Sequence, residues 1–453
     1  MNKYGLRLLL SLLIIVLLQS CSNEDNPAPA TEPEPAKTFA TLKEALESMD
    51  RVVKIEANAP KELTGKYKEV YELRFQQPVD HTNPDQKTFE QLVTIRFRGF
   101  DRPTILMTDG YDSHVWSRDY GASLGDGIGA NIVEVEHRNY GKSMADDPQW
   151  ACETGWQVST DLHEVCLVLK PVLTGRWMSM GVSKDGETAV DYCYYYPNDM
   201  QLCAAFCSPF HTSLYDLRPG KYMMDESGTE EERQVMKAGI RRYLQGGEQG
   251  LYKTFCELVA KQQEPVPTFT EYVFNVFEVY FAAFSYYHGA DRKEQMAYAT
   301  DTEEELFEKW YSLLDSNRDP YTYTYYIDCF KEQGFYTNDY EQFSDLLDGT
   351  SFDKTQVNAT YLNPSDRWIA DTYDNSHFLS ILNEFLPQTS IPTLLVYSKE
   401  DPWTGARPQV INPVTTKMII NPDGIHCDNI DDPEYYAPQL SQEITDYIRR
   451  YVY

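Results

Sequence analysis

Arg176-Trp-Met-Ser-Met-Gly181-Val182-Ser183-Lys184-Asp185-Gly186 is the stretch on which the fold of this chain turns. An apolar run of strand character, 176–181, ends on a glycine. A serine follows, and helical character begins at once. This is the strand–turn–helix context of a nucleophile elbow. The turn has to be sharp so that the serine oxygen stands above the sheet, and Gly181, which has no Cβ, lets the backbone come close. A helix starting beneath Ser183 supplies unpaired N–H groups and a positive dipole end, so the N–H of Lys184 is the expected half of an oxyanion hole. The second donor is expected after an earlier strand, at Gly110 or Tyr111. The stretch departs from Gly-x-Ser-x-Gly at Asp185, with the glycine one step later. Either the elbow opens slightly or Asp185 turns to solvent and caps the helix. On both readings Asp185→Gly leaves activity unchanged or raises it.

Working outward, 66–77 alternates as an edge strand and 89–97 follows it. Short apolar runs at 104–108, 131–135 and 202–207 read as strands. Between them 157–173 and 187–196 have helical spacing. The alternation predicts a mostly parallel sheet with helices on both faces. From 210 to 387 the pattern changes to long helical stretches rich in tyrosine, phenylalanine and acids, such as 230–244 and 303–314, and reads as an inserted helical cap. Strands resume at 393–397 and 417–420, and an amphipathic helix spans 438–451.

Nucleophilic chemistry on such a sheet needs an acid after a late strand and a histidine after the next one. The run 393–397 is followed by Ser398-Lys399-Glu400-Asp401-Pro402-Trp403, so Asp401 is the candidate acid and Glu400 its rival. The run 417–420 is followed by Asn421-Pro-Asp-Gly-Ile425-His426. His426 is the sole histidine after His377 and falls where the base belongs. It would take the proton of Ser183 and return it to the leaving group, while Asp401 fixes its tautomer.

With these residues placed, Gly181-Val-Ser-Lys-Asp-Gly186 resembles the Gly-x-Ser-Lys-Gly-Gly elbow of secreted, proline-preferring tripeptidyl aminopeptidases. Gln76-Gln-Pro-Val-Asp-His81, Asp101-Arg-Pro103, Asp109-Gly-Tyr111 and Val135-Glu-His-Arg138 are also similar to that family. So are Glu400-Asp-Pro-Trp403 and Gly424-Ile-His426. Glu136-His-Arg138, with Gly141-Lys-Ser143, further resembles the related Pro-X carboxypeptidase and dipeptidyl-peptidase family. The resemblance spans about 62–220 and 390–430 and is weak in the cap; Arg218 matches by local context without an assigned role. It implies an α/β-hydrolase core with a large inserted helical cap, and release of short peptides from a free N-terminus. Such an enzyme must recognise an ammonium. Glu136, after a core strand, is a tentative receptor, although an internal pair with Arg138 or another neighbour accounts for it more simply. The cap tyrosines suit a pocket for proline or ordinary helix packing. Because a fold does not fix its substrate, a carboxylic-ester hydrolase and a catalytically weak binding lipoprotein remain alternative readings.

A net charge of −30 excludes nucleic acid as a partner, since polyanions need a basic footprint. No CxxC or Cys/His ligand cluster appears, so neither a metal nor a cofactor is expected. Lys3 and Arg7 precede a short apolar segment, 8–18, that ends in Leu18-Gln19-Ser20-Cys21 and resembles a lipobox. The expectation is a lipid anchor on Cys21 and a place in the bacterial cell envelope, as an outer-membrane or surface lipoprotein. The resulting organisation is a signal peptide (1–20), a flexible tether and N-terminal segment (21–61), the core (62–209 and 388–453) and the cap (210–387).

Overall fold

The sheet has two halves that pair differently, and the junction between them places the site. A computed structural model describes residues 38–56, 66–113, 120–316, 323–356 and 361–453. Its strands are β1 (Val52–Glu56), β2 (Glu69–Pro78), β3 (Thr88–Phe97), β4 (Thr104–Thr108), β5 (Asn131–Val135), β6 (Trp177–Val182), β7 (Leu202–Phe206), β8 (Tyr215–Asp216), β9 (Phe335–Tyr336), β10 (Thr393–Ser398) and β11 (Thr416–Asn421). Nine of them form one sheet in the order β1-β2-β3-β5-β4-β6-β7-β10-β11. Pairing is antiparallel from β1 to β5 and parallel from β5 to β11.

The parallel strands β5, β6, β7 and β10 are buried at every position, because helices cover both faces. Helices Gly155–Leu169 and Lys184–Tyr195 pack Val165, Leu169, Val190 and Cys193 onto one face. Helices Tyr120–Ile128 and Pro438–Val452 pack Leu124, Ile128, Ile444 and Ile448 onto the other. After β4 the chain turns back to β5 on one side, whereas β6 leads to β7 on the other. The crevice at the carboxyl ends of β4 and β6 is therefore a topological switch point, where α/β sheets place their ligands.

Two predicted boundaries are corrected. Residues 42–56 belong to the core rather than to a tether. Helix Leu42–Glu47 buries Leu42, Ala45 and Leu46, and its first N–H groups donate to the Glu69 carboxylate, Leu42 N at 2.9 Å. β1 is thus the sheet edge, and β2 is interior. A six-residue helix capped from 27 residues away carries no local signal. At the other boundary, residues 376–388 are core: Phe378, Ile381 and Leu386 join the cluster on the sheet face.

The cap has its own apolar centre, in which Met236, Tyr272, Phe277 and Trp310 meet. Thr229 with Glu232, and Thr268 with Glu271, form capping boxes that start helices Glu230–Leu244 and Phe269–Tyr286. The short parallel pair β8–β9 also lies in the cap, which was expected to be mainly helical. Leu42–Tyr453 nevertheless forms one compact unit. The eight cysteines after Cys21 are free thiols. Among the described residues no helix is long and apolar enough to cross a membrane.

Candidate active site

Ser183 sits at φ 59°, ψ −128°, a left-handed conformation rare for a residue with a Cβ, and such strain costs about 1–3 kcal/mol. The surroundings impose it: Ser183 N donates to Phe206 O at 2.7 Å, and Gly186 N to Ser183 O at 3.0 Å. A Cβ on Gly181 would meet the Asp185 carbonyl oxygen at 2.1 Å, and one on Gly186 would meet Ser208 Oγ at 1.9 Å. The elbow thus needs glycine at 181 and 186, and position 185 tolerates a side chain.

Asp185 neither opens the elbow nor points to solvent. It is buried, and its Oδ1 accepts the N–H of Gly110 at 2.7 Å, while Thr108 Oγ1 donates to its carbonyl at 2.8 Å. The Gly110 N–H is therefore engaged, and the amide of Tyr111 is the candidate second oxyanion donor beside that of Lys184. This reverses the expectation for Asp185→Gly. Losing a charged hydrogen bond that fixes the donor loop is expected to lower kcat about 10- to 100-fold, with Asp185→Asn retaining most of it. Steady-state rates on folded protein would decide; an unchanged Asp185→Gly rate refutes the role.

β10 and β11 deliver the other two members. His426 Nε2 lies 2.9 Å from Ser183 Oγ, and His426 Nδ1 lies 2.7 Å from Asp401 Oδ2. Asp401 is fully buried, and its Oδ1 accepts Trp403 N–H at 2.9 Å. Carboxylate acceptance at Nδ1 leaves Nε2 free to take the serine proton. Glu400, the rival acid, is instead paired with the buried Arg292 of the cap.

Lys184 contributes more than its amide. Its side chain is buried; Nζ donates to Gly110 O at 2.5 Å and pairs with Asp328 of the cap at 3.0 Å. The rings of Tyr111 and Tyr140 lie 5.5 and 5.2 Å away, and Tyr140 Oη donates to Asp328 at 3.0 Å. Burial pushes the Asp328 carboxyl up, and the Lys184 ammonium opposes that shift. No local pattern points to Asp328, which comes from the cap 144 positions later.

Glu136 does not line the cavities at Ser183. Its oxygens accept Ser113 N at 3.0 Å and Ser143 Oγ at 2.6 Å, and burial raises its pKa to about 7. Arg138 pairs with Asp161, not Glu136, at 2.7 and 2.8 Å, and His81 Nε2 lies 2.7 Å from the same carboxylate. Gln77 Nε2 donates to Gln91, which in turn donates to the Glu136 carbonyl. The motif residues Gln77, His81, Glu136, Arg138 and Ser143 thus build a buried scaffold beside the site. Arg218 forks onto Asp216, whose carboxyl also accepts Thr212 N, and so fixes the start of the cap.

Among the described residues two groups bring potential metal ligands together: Cys207–Asp401–His426 and His137–Glu153–Asp328. In the first, Asp401 and His426 are committed to each other. In the second, Asp328 already holds the Lys184 ammonium.

Ser183 and His426 stand between two cavities. One, of about 690 Å³, runs under the cap and is lined by Glu187, Glu278, Phe281, Tyr325, Tyr336 and Trp403 among others. The second, of about 600 Å³, is lined by Tyr287, His288, Asp291 and Tyr435. The cap tyrosines fall into two groups: Tyr325, Tyr326, Tyr336 and Tyr361 face the first cavity, whereas Tyr243, Tyr272 and Tyr280 are packed inside the cap.

Sheet topology, elbow and cap define an α/β-hydrolase carrying a Ser-His-Asp constellation. Residues 36–301 match the family PS-10 peptidase S37, more than half of the chain, and the chain belongs to that family. It is 38% identical over 138 residues to the prolyl tri/tetrapeptidyl aminopeptidase of Streptomyces mobaraensis; the match takes in 30% of this chain and spans 28% of that relative's length. Among solved structures, it is similar to proline iminopeptidase from Mycobacterium smegmatis (12% identity, 83% of this chain, 98% of that one, TM-score 0.37). It is similar also to an esterase from Thermogutta terrifontis (12% identity, 84% and 99%, TM-score 0.38). The fold assignment rests on the topology above.

Proposed function

We propose that this chain is a serine exopeptidase that releases short peptides, tripeptides and proline-containing ones among them, from free peptide N-termini. The observation that carries this reading is the Ser183–His426–Asp401 relay opening into a cap-covered cavity whose wall holds carboxyl groups. Ser183 attacks the scissile carbonyl as His426 takes its proton, and the acyl-enzyme forms as His426 protonates the leaving amine. The amides of Lys184 and Tyr111 hold the developing oxyanion, and water repeats the sequence to free the peptide. Tyrosines on the cavity wall offer flat apolar surfaces to a proline ring. Family membership and the partial match to a prolyl aminopeptidase support the same reading.

The test compares peptides with free and acetylated N-termini, with a fluorophosphonate probe reporting the nucleophile. Probe labelling that disappears in Ser183→Ala, together with preference for the free amine, is the expected result. Equal cleavage of both peptides would instead favour an ester hydrolase or endopeptidase, and no labelling a binding protein. We further propose, on the sequence motif alone, that Cys21 carries a lipid anchoring the protein in the bacterial envelope. Residues 1–37 lie outside the described residues. Incorporation of an alkyne fatty acid that persists in Cys21→Ser would overturn the anchor.

A further inference from the structure

We infer that Glu278, on the cap helix Phe269–Tyr286, is the receptor for the substrate's N-terminal ammonium. The inference rests on the exopeptidase reading and deepens it. Glu278 lines the 690 Å³ cavity that contains Ser183 and His426. Its one hydrogen-bond partner among the described residues is the hydroxyl of Tyr336. A carboxylate offers about four lone-pair sites, so positions remain for the three N–H donors of an ammonium. Among the described residues nothing cationic offsets this carboxyl: burial drives its pKa up to about 8, opposed only by the Tyr336 hydroxyl. A partly buried acid without a counter-charge is unfavourable as an anion in the unliganded site and is compensated when a cation arrives.

The wall around it suits a cation. Tyr336 stacks on Phe281 at 4.2 Å between ring centroids, and Trp403 stands edge-on to both at 4.9 and 5.0 Å. Aromatic faces add attraction for an ammonium once water is displaced. Trp403 is also 5.9 Å from the ring of His426. Glu278 is therefore linked to the triad through Trp403 and Tyr336, a separation that a few extended residues of about 3.5 Å each can bridge. That spacing lets the acid measure a short peptide from its free end.

Two other acids line the cavity, and neither fits as well. Glu187 lies one helical turn after Ser183 and shares the charge of the adjacent Lys184. Asp112 follows Tyr111, beside the oxyanion position, and already has an interaction of its own. Among the described residues that line the cavity, Lys184 is the only Lys or Arg, and its Nζ is tied to Gly110 and Asp328. The wall therefore favours a peptide's ammonium end over its carboxylate end. The second cavity, on the other side of Ser183 and His426, is left for the departing chain.

The experiment measures kcat/KM for a proline-containing peptide with a free N-terminus and for its acetylated twin, in wild type, Glu278→Gln, Glu278→Asp and Glu187→Gln. Rates are normalised to active sites titrated with a fluorophosphonate. The expected result is a free-amine preference that falls at least about 100-fold in Glu278→Gln, mainly through KM. It should fall partly in Glu278→Asp and persist in Glu187→Gln. A preference retained in Glu278→Gln, or lost in Glu187→Gln alone, overturns the inference and leaves the exopeptidase reading standing. Should Glu278→Gln fail to fold, an unaltered preference in Glu278→Asp overturns it equally. A wild type without any preference overturns both.

Discussion

His426→Ala is expected to lower kcat by about 10⁴-fold or more, and Ser183→Ala at least as far, with the fold retained. Among the described residues the relay has no substitute base: of the other histidines on the two cavity walls, His211 is held near Asp216, at 3.6 Å, and His288 Nε2 pairs with Asp428 at 2.9 Å. Asp401→Asn is expected to cost about 10⁴-fold by another route. The carboxylate at 2.7 Å from Nδ1 selects the tautomer with its proton there. An amide in its place can donate to Nδ1 and leave the proton on Nε2, where it blocks transfer from Ser183. Single-turnover and steady-state rates on folded variants check this. Any of the three variants retaining a tenth of wild-type activity would dismantle the assignment.

Lys184→Met is expected to destabilise the protein by about 3–5 kcal/mol, because it strands the buried carboxylate of Asp328. The same change removes the donor to Gly110 O and so loosens the loop that carries Tyr111. Stability and kcat should therefore fall together. The double variant Lys184→Met/Asp328→Asn should recover much of the stability, since no uncompensated charge remains, yet recover little kcat. Denaturation midpoints and rates for the two single variants and the double variant supply the cycle. Additive losses would show that the two side chains do not act on each other.

The order serine, acid, histidine was legible because each follows a short apolar strand, and strands announce themselves by local composition. Ser183, Asp401 and His426 could thus be placed without knowing what surrounds them. The N-terminal helix was not legible, because its cap is Glu69, distant in sequence. Glu136 was left open between two readings for a related reason: its position after β5 is evident, but whether its carboxyl meets a ligand or Ser143 depends on a loop that folds back.

Periodicity, glycine placement and chain order were enough to read the sheet, the elbow and the presence of a cap. Which acid answers which partner was settled in three dimensions. Asp185 took the Gly110 amide, Asp161 took Arg138, Asp328 took Lys184, and Glu278 was left facing the cavity without a cation. Charge pairing acts through space over a few ångströms, and the partners are far apart along the chain. Of these pairs, Lys184–Asp328 forms only where the cap meets the core.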